Sequence, residues 1–405
     1  MMLVEPLLRQ GLCLTAHPDG CAERVRRDVD RATAHPASTA PSVVLVVGCS
    51  SGLGLAARTW AAFAGGAATV GVHLDRPATE RRTGTAGWYN SAALRAELAA
   101  TGLWTRDVAG DAYADDTKRR TVHALRAAPG SVDLVVYSLA APRRTDPMSG
   151  RTRHSTIAAV GEPYTELSYD VADGSVRPAT LPRATPEQIA ETVSVMGGDD
   201  WARWIDTLDA GDVLAPNART VAFTYVGPTF LDRSYRLGTL GIAKRHLERT
   251  AAGLHARLAR RGGAAHAVAA GALITPASAV MPIQSLYTAL LTGAFAEHGA
   301  VRDPLDQARD LFDALAGQPP LDNAGRIRLD SADLDPAVQA TVRTRWNHVN
   351  SDNVAGLGGA EYRARLLAIH GFGVTGIDYD RPVDPRRFAA DPALINGTSP
   401  STEEN

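Results

Sequence analysis

The chain has 405 residues, of which 45% are hydrophobic, and its 42 basic and 44 acidic side chains leave a formal net charge of −2. That length and apolar content can fill one extended domain or two domains, and the balanced charge argues against a nucleic-acid-binding face. No apolar run reaches the roughly 18 residues that suggest a membrane span.

Residues 1–40 mix Pro, Gly, His and Arg and are predicted to cover one edge of a main sheet, with a helix over 22–32. We expect no secretory signal, because Glu5 comes early and no long apolar core follows it. The 3 cysteines form no plausible disulfide framework and indicate a reducing cytoplasm. We also expect no metal site, because the 11 histidines include no H-x-x-x-H pair and no ligand cluster.

The most informative stretch is a β-branched run, 43–47, that leads through a glycine-rich turn into a helical pattern at 56–63. Its glycines, Gly48, Gly52 and Gly54, follow the spacing G-x-x-x-G-x-G rather than the common G-x-G-x-x-G. Such a loop lets backbone N–H groups and the positive end of a helix dipole meet a pyrophosphate. The alternative is an ordinary Gly/Ser turn between a strand and a helix.

A second strand is predicted at 68–74, and Asp75 follows it about 20 residues beyond the loop, where a dinucleotide fold places an acid on the adenosine ribose. A carboxylate there accepts hydrogen bonds from both ribose hydroxyls and repels a 2′-phosphate, which favours NADH over NADPH. Arg76 weakens this interpretation, because an arginine can accept a 2′-phosphate. Alternatively, Asp75 only caps the next segment.

The β-α rhythm continues for two more strands. A long loop at 84–90 and a helix at 91–101 precede a third strand that ends at 110–112, followed by a helix at 115–128. A fourth strand at 132–138 has the apolar character of a parallel sheet. It ends in small residues, which allow a nicotinamide to pass close to the backbone. Arg143 and Arg144 could then meet an anionic carrier group or lie on a solvated surface.

The rest of the chain is predicted more coarsely. Residues 146–219 interrupt the rhythm and are interpreted as an elaboration over the active face. The other predicted elements are a hairpin at 165–177, helices at 185–196 and from 201, a strand at 220–226, a helix to about 261, a strand at 264–274, helices at 282–298 and 304–316, an edge element at 325–329, helices at 337–346 and 359–370, and a disordered tail at 399–405.

Tyr235 and Lys244 lie nine positions apart. On one unbroken helix this is about two and a half turns, which would point the two side chains to opposite sides. We therefore predict that the helix begins between them, with Thr239 as a possible N-cap. A nearby ammonium would favour the ionised phenol, and a tyrosine beside a nicotinamide can stabilise an oxyanion or deliver a proton. The alternative is an exposed tyrosine and a solvated lysine.

Several motifs now resemble one known family, the trans-2-enoyl-CoA / enoyl-ACP reductases of the FabV type, which are enlarged relatives of the short-chain dehydrogenases. The resemblance covers nearly the whole chain. It is carried by the Tyr235/Lys244 spacing and by residues 15–18, 48–52, 84–91, 137–140, 142–144, 195–198, 371–373 and 378–380. Ordinary short-chain dehydrogenases use Y-x3-K and the better-known enoyl reductases use Y-x6-K, so the Y-x8-K spacing is diagnostic.

The resemblance implies a Rossmann-like doubly wound parallel α/β sheet with helical and hairpin elaborations over the active face. It implies one domain over 1–398, with a core sheet at 41–145 and 220–280 and a C-terminal cover at 281–398. The cofactor would be NADH, and the substrate an acyl-CoA or acyl carrier protein thioester. We expect a monomer, although the sequence does not rule out an oligomer.

The resemblance also assigns roles residue by residue. The pyrophosphate would be held by Gly48, Cys49, Ser50, Ser51, Gly52 and Leu53, the adenosine ribose by Leu74 and Asp75, the adenine by Asp111 and Ala112, the nicotinamide side by Leu139 and Ala140, and the carboxamide by Leu273, Ile274 and Thr275. Lys244 would bind NADH, Tyr225 would contact the substrate, and Tyr235 would donate the proton.

Three positions depart from the family pattern. Asp75 stands where the family usually has Glu, Leu53 where it often has Tyr, and Pro276 where it often has Gln. The expected reaction is conjugate reduction of a trans-2-enoyl thioester, with 281–295 as one wall of the acyl channel or as plain core. The alternatives are a β-keto thioester or carbonyl reductase, which the absence of Y-x3-K disfavours, and a catalytically silent NAD-binding protein.

Overall fold

The computed structural model describes residues 1–9, 11–299 and 301–387 and the backbone of 394–396. Its strands are β1 (Leu8–Arg9), β2 (Leu12–Cys13), β3 (Val43–Val47), β4 (Ala68–His73), β5 (Thr105–Ala109), β6 (Val132–Tyr137), β7 (Arg143–Thr145), β8 (Thr152–His154), β9 (Tyr164–Asp170), β10 (Ser175–Leu181), β11 (Leu214–Tyr225), β12 (Ala264–Ala270), β13 (Arg326–Arg328) and β14 (Leu394–Asn396).

The helices are α1 (Pro18–Thr33), α2 (Gly52–Phe63), α3 (Ala86–Thr101), α4 (Asp115–Leu125), α5 (Pro186–Met196), α6 (Asp199–Ala210), α7 (Thr239–Leu258), α8 (Pro276–Ala279), α9 (Gln284–His298), α10 (Pro304–Leu315), α11 (Pro336–Trp346) and α12 (Ala360–Ile369). Two 3₁₀ turns cover Thr229–Ser234 and Ala259–Arg261, and a π-helical turn covers Ala355–Gly359.

One parallel sheet organises the molecule, with strand order β13-β12-β11-β6-β3-β4-β5-β14. Its winding reverses between β3 and β6, and open α/β sheets bind ligands beyond the carboxyl ends of the strands at such a switch point. β3 is buried on both faces, which is why its sequence is an unbroken apolar run rather than an alternating one. The Rossmann-like doubly wound sheet predicted from the sequence is therefore confirmed.

Helices cover both faces of this sheet. On one face, α6 and α7 bury Trp201, Trp204 and Leu254 against the strands. On the other face, Trp60 of α2 and Leu311 of α10 belong to a second apolar cluster. A third cluster lies outside the sheet and joins α9, α11 and α12 to the β9–β10 hairpin. None of the helices in the described part of the chain is long and apolar enough to cross a membrane.

The sheet extends beyond the two segments predicted as its core. β11 begins at Leu214, within the predicted elaboration, and β13 and β14 come from the predicted C-terminal cover. β12 ends at Ala270 rather than 274, because the next two N–H groups are bound by side chains: Gly271 donates to Gln307 Oε1 (3.1 Å) and Ala272 donates to Asp333.

Two further local predictions are wrong. The stretch 84–90 is not a loop: α3 begins at Ala86, because the Thr85 hydroxyl caps it by accepting from Trp88 N at 3.3 Å. Residues 1–40 do not cover a sheet edge, since α1 packs through Val25 and Val29 on the apolar residues of α2 and α3. The tail at 399–405 lies outside the described residues.

Candidate active site

The glycine loop joins β3 to α2 beside the switch point. Gly48 has φ +86°, and a Cβ there would lie 2.3 Å from Ser138 O, so only glycine fits. A Cβ on Gly54 would lie 1.9 Å from Gly48 O, which explains the third glycine as close packing of α2 on the loop. Ser51, the N-cap, makes no capping hydrogen bond with its side chain, so the first N–H groups of α2 can meet an anion.

Cys49 belongs to this loop but faces the core. It is 1% exposed, its Sγ lies 3.7 Å from Arg58 Nη1, and burial raises the pKa of its thiol to about 12. A thiol held protonated is a poor nucleophile. The structure thus supports a small space-filling side chain rather than a reactive one.

Asp75 is oriented by two neighbours that the sequence analysis did not single out. Its Oδ1 accepts from the Thr85 hydroxyl at 2.9 Å, and its Oδ2 lies 2.9 Å from His73 Nδ1. A Cβ on Gly87 would lie 2.2 Å from Asp75 Oδ1 and 2.7 Å from Ser50 Oγ, so the start of α3 meets both the acid and the loop. His73 and Asp75 share one face of an extended segment, a period-2 relation that could have revealed the pair.

A buried charge cluster lies beneath this acid. Asp107 contacts Arg58 and Arg95, each at 2.5 Å, and His73 Nε2 lies 3.8 Å from its Oδ2. Burial opposes ionisation of Asp107, but Arg58 above all, with His73 and Arg95, holds the pKa of this carboxyl below its usual value. Removing one member would leave a buried charge unpaired and destabilise the protein. The cluster therefore holds His73, and through it Asp75, in place.

Asn90 ties α1 and α3 to the glycine loop. Its Nδ2 donates to Ser50 O at 3.0 Å, and its Oδ1 accepts from Arg24 at 3.3 Å. The residue is fully buried. The sequence motif at 84–91 contained this asparagine, but only the fold shows that it holds the loop from behind.

Asp111 and Ala112 follow β5 at the same carboxyl edge. Asp111 Oδ1 accepts from Tyr113 N at 2.9 Å. Ala112 O accepts from Lys118 Nζ (2.8 Å) and from Trp204 Nε1 (3.1 Å), which hold this turn in place.

The opposite wall comes from the segments after β6 and β12. A Cβ on Gly48 would lie 3.0 Å from Leu139 Cδ2, and one on Gly52 would lie 3.3 Å from Thr275 Cγ2. The Thr275 hydroxyl caps α8 by accepting from Ser278 N at 3.1 Å. The structure therefore brings Leu139 and Thr275 to the glycine loop. The neighbouring Ala140 is exposed, Leu273 is buried and Ile274 is half-buried.

Arg144 does not lie on a surface that could meet a carrier group. It is 6% exposed, its Nη1 donates to Ser194 O at 2.8 Å, and its guanidinium lies over the Tyr113 ring. Both predicted roles for Arg144 are therefore wrong, whereas Arg143 is exposed.

Asp333 is a buried carboxyl at the segment after β12. It is 5% exposed and accepts from Ala272 N. Burial raises its pKa to about 7. In the unfolded chain an aspartate titrates near a pKa of about 4. The folded protein keeps the proton of Asp333 to a higher pH, so the stability present below about pH 4 is lost as pH rises towards 7.

The variant Asp333→Asn should lack this loss. Its free energy of unfolding relative to the wild type should increase with pH, by up to about 1.4 kcal/mol per pH unit, and level off near pH 7. Chemical denaturation at intervals between pH 5 and 8 measures the difference, with the exposed Asp313→Asn as control. A difference that is constant over this range would show that the buried carboxyl does not titrate there.

Tyr225, which is half-buried, and Tyr235, which is buried, form an aromatic pair at the carboxyl end of β11. Their ring centroids are 5.0 Å apart and nearly perpendicular, and the Tyr225 hydroxyl has no hydrogen-bond partner among the described residues. Burial raises the pKa of both phenols well above the usual value, so the predicted shift of Tyr235 towards its ionised form is wrong. The site presents a neutral phenol, which can donate a hydrogen bond or a proton.

Lys244 lies in the second turn of α7 and points back to β11. As predicted, the helix begins between Tyr235 and Lys244, although its N-cap is Gly238, because the Thr239 hydroxyl donates to Thr156 O. Lys244 Nζ donates to Phe223 O at 2.9 Å, and burial lowers its pKa to about 8.

An ion pair between Arg236 and Glu248 stabilises this end of α7. Glu248 accepts from Arg236 with both oxygens, at 2.7 and 2.8 Å, and from the Thr224 hydroxyl at 2.8 Å. Burial opposes ionisation, but the Arg236 hydrogen bond lowers the pKa of Glu248. Arg236 follows Tyr235 directly, so the pair helps fix the chain at the phenol. Among the described residues, no cluster of His, Cys, Asp and Glu could hold a metal ion.

Three family models match consecutive parts of the chain. They are described as the NAD(P)H binding domain of trans-2-enoyl-CoA reductase (residues 3–80), the trans-2-enoyl-CoA reductase catalytic region (82–315) and the enoyl reductase FAD binding domain (321–383).

Individual relatives agree with these matches. An enoyl-acyl-carrier-protein reductase (NADH) of Burkholderia pseudomallei is 45% identical over 388 residues, which cover 95% of this chain and 98% of that protein. A crystal structure of Clostridium acetobutylicum trans-2-enoyl-CoA reductase in complex with NADH has a TM-score of 0.93 and 33% identity, over 96% of this chain and 100% of that chain. The Treponema denticola trans-2-enoyl-CoA reductase in complex with NAD has a TM-score of 0.91 and 36% identity, over 95% and 98% of the two chains.

The segment matched by the FAD model does not fit a flavin dinucleotide. A Cβ on Gly358 would lie 2.1 Å from Ala289 O, and one on Gly293 would lie 2.2 Å from Leu357 O. Gly358 and Gly293 thus serve the close crossing of the π-helical turn over α9 and leave no room for a pyrophosphate between them. Val338, Val342 and Tyr362 of the same segment are buried in the third apolar cluster. We derive no chemical step from a flavin.

Proposed function

The chain belongs to the trans-2-enoyl-CoA reductase family, and we propose that Tyr235, Tyr225 and Lys244 carry its reaction. It is an NADH-dependent enoyl reductase, which reduces the 2,3-double bond of a trans-2-enoyl thioester to the saturated acyl thioester. One arrangement supports the residue assignment: the Tyr225 and Tyr235 rings are in contact at the carboxyl end of β11, and Lys244 Nζ donates to Phe223 O, two residues before Tyr225. In a doubly wound sheet this is where the reacting groups belong.

The residues would divide the chemistry as follows. Bound NADH supplies a hydride to the β-carbon of the enoyl thioester. As negative charge develops on the thioester oxygen, the neutral Tyr235 phenol donates a hydrogen bond to it, and the unpartnered Tyr225 hydroxyl can add a second. Tyr235 then gives up its phenolic proton, the α-carbon ends protonated, and the phenol regains a proton from solvent. The desolvated Lys244 ammonium stabilises the same charge and would bind the nicotinamide ribose hydroxyls.

The residues present also fit the cofactor. In the glycine loop 48–53, the Ser51 side chain does not cap the first N–H groups of α2, so an anion can meet them. Asp75 lies beside this loop with its carboxylate oriented by Thr85 and His73. These observations support our proposal that Leu74 and Asp75 hold the adenosine ribose and that Asp111 and Ala112 hold the adenine. They likewise support a nicotinamide wall built from Leu139, Ala140, Leu273, Ile274 and Thr275.

Substituting Asp75 should relax the cofactor preference. Removing the carboxylate in Asp75→Ser removes the repulsion of a 2′-phosphate, so kcat/KM for NADPH relative to NADH should rise at least about tenfold. Steady-state kinetics with both cofactors measure the ratio. The matched control is Glu80→Ser, which removes an exposed acid of the same connection. An unchanged ratio in Asp75→Ser would mean that this carboxylate does not meet the ribose.

We propose that the enzyme accepts the acyl group on CoA or on an acyl carrier protein, because the names of its relatives include both. We also propose that 281–295 forms one wall of the acyl channel. The bond from Gln284 to Ser234, the residue directly before Tyr235, places the start of this segment next to the catalytic loop and supports this. The 3 free, buried cysteines are in keeping with a cytoplasmic enzyme, and we propose that it acts as a monomer.

The test is direct. Purified protein is mixed with NADH and crotonyl-CoA, and separately with crotonyl-acyl carrier protein, and the loss of NADH absorbance is followed. We expect oxidation with at least one carrier. No oxidation with any 2-enoyl thioester would overturn the proposal, and oxidation with a β-keto thioester alone would point to a carbonyl reductase.

A further inference from the structure

The connection into α9 contains a strained turn. Ile283 has φ +70° and ψ −48°, and Gln284 N donates to Pro282 O at 2.7 Å, which makes a γ-turn of positive φ. This conformation is rare, and a β-branched residue adopts it only at a cost in free energy. Ile283 is fully buried, so the surrounding packing holds the strain. A strained backbone conformation of this kind persists only where the surrounding structure holds the chain in that conformation.

The turn directs the next side chain towards the catalytic loop. Gln284 Nε2 donates to Ser234 Oγ at 2.9 Å, and the Ser234 hydroxyl donates onward to Leu231 O at 2.7 Å. Gln284 and Ser234 are 4% and 6% exposed, so water does not compete for this bond. Ser234 ends the 3₁₀ turn Thr229–Ser234 and directly precedes Tyr235.

The backbone of Tyr235 is already fixed on its other side. Its carbonyl oxygen accepts from Gly238 N (3.0 Å) and from Gly241 N (3.1 Å), at the start of α7. A Cβ on Gly241 would lie 2.5 Å from Tyr235 O, so the helix approaches closely. On the N-terminal side of the phenol, Phe230 contacts the Tyr287 ring and Arg233 lies over the Tyr164 ring. The Gln284–Ser234 bond is the side-chain hydrogen bond at the residue directly before Tyr235.

We propose that Gln284 is a positioning residue for Tyr235: through Ser234, the strained turn at Ile283 fixes the phenol where it meets the substrate oxygen. This rests on the proposed role of Tyr235. Gln284 itself touches no reacting atom. Its contribution is geometric, because a hydrogen bond to a developing oxyanion loses strength steeply when donor and acceptor are misplaced.

The test compares Gln284→Leu, which keeps the side-chain volume and loses the hydrogen bond, with Ser234→Ala and the double variant. We expect kcat to fall about tenfold in each single variant, with the NADH dissociation constant unchanged and the double variant no worse than either single one. The control is Thr121→Val, which removes a buried hydrogen bond within α4, outside the proposed site, and should leave kcat unchanged.

A second readout does not depend on turnover. In protein with isotope-labelled tyrosine, the ring signal assigned to Tyr235 through Tyr235→Phe should shift or broaden in Gln284→Leu and stay in place in Thr121→Val. An unmoved Tyr235 signal would overturn the inference, even if the protein reduced no enoyl thioester. If the wild type were active and Gln284→Leu had the same kcat, the inference would also be overturned. Equal losses of kcat, NADH binding and stability in Gln284→Leu would overturn it as well, because they would indicate a general structural defect.

Discussion

Replacing Tyr235 by Phe is expected to lower kcat for enoyl reduction about 100- to 10,000-fold and to leave the NADH dissociation constant within about twofold. The substitution removes only the hydroxyl. The ring of residue 235 would still pack on Tyr225, at the 5.0 Å separation of their centroids, and would stay buried. The lost term is the hydrogen bond to the oxygen on which charge develops, and that bond is strong because the site is desolvated.

Steady-state kinetics and NADH fluorescence titration separate the two effects. The control is Tyr164→Phe. This variant removes the hydroxyl of a β9 tyrosine whose ring lies under the Arg233 guanidinium, and it should retain most of the activity. If Tyr235→Phe kept kcat within threefold of the wild type, another group would have to supply the proton.

Replacing Lys244 by Met is expected to weaken NADH binding and to lower kcat, each by at least about tenfold, because one ammonium serves both the ribose and the developing charge. The free energy of unfolding should not fall with these losses, because the wild type has to bury the Lys244 ammonium and the Met variant does not. Burial lowers the pKa of Lys244 to about 8, whereas an unfolded lysine titrates near 10.4. Between these values the unfolded chain binds the additional proton, so the contribution of Lys244 to stability rises with pH.

The Met variant should therefore be at least as stable as the wild type at pH 7, and its advantage should shrink as pH rises from about 8 to 10.4. For the same reason, kcat/KM of the wild type should fall as pH rises through about 8, where the free enzyme loses this charge. Denaturation curves and a pH–rate profile measure both effects. Arg249→Met, on an exposed position of α7, is the control. If Lys244→Met bound NADH as tightly as the wild type, the lysine would not contact the cofactor and the proposed role would be wrong.

The sequence identified the site by segments rather than by contacts. The strand at 43–47 and the glycine loop follow from a local pattern: apolar residues buried on both faces, then glycines where the backbone turns with positive φ at Gly48. The Y-x8-K spacing required a helix start between its two residues, and α7 does begin there. Each of these inferences uses residues that are close together in the chain.

Two of the errors, at Arg144 and Tyr235, share one cause. Arg144 looked like a surface arginine, and only the approach of Ser194 and Tyr113 buries it. The ammonium of Lys244 was expected to lower the pKa of Tyr235, but burial raises it. Burial of a polar side chain is decided by elements distant in sequence, and no local pattern reports it.

By itself, then, the sequence determined the alternation of strands and helices, the glycine loop, the position of Asp75 after the second strand and the Tyr235–Lys244 spacing, because periodicity, turn chemistry and motif spacing are local properties. The Rossmann-like sheet followed from the resemblance that these motifs carry. Only the tertiary structure decided what holds these groups: Thr85 and His73 on Asp75, Asn90 behind the loop, and Gln284 beside Tyr235 through Ser234. The last of these contacts joins residues 50 positions apart, and it exists because α9 packs against the 3₁₀ turn before the phenol.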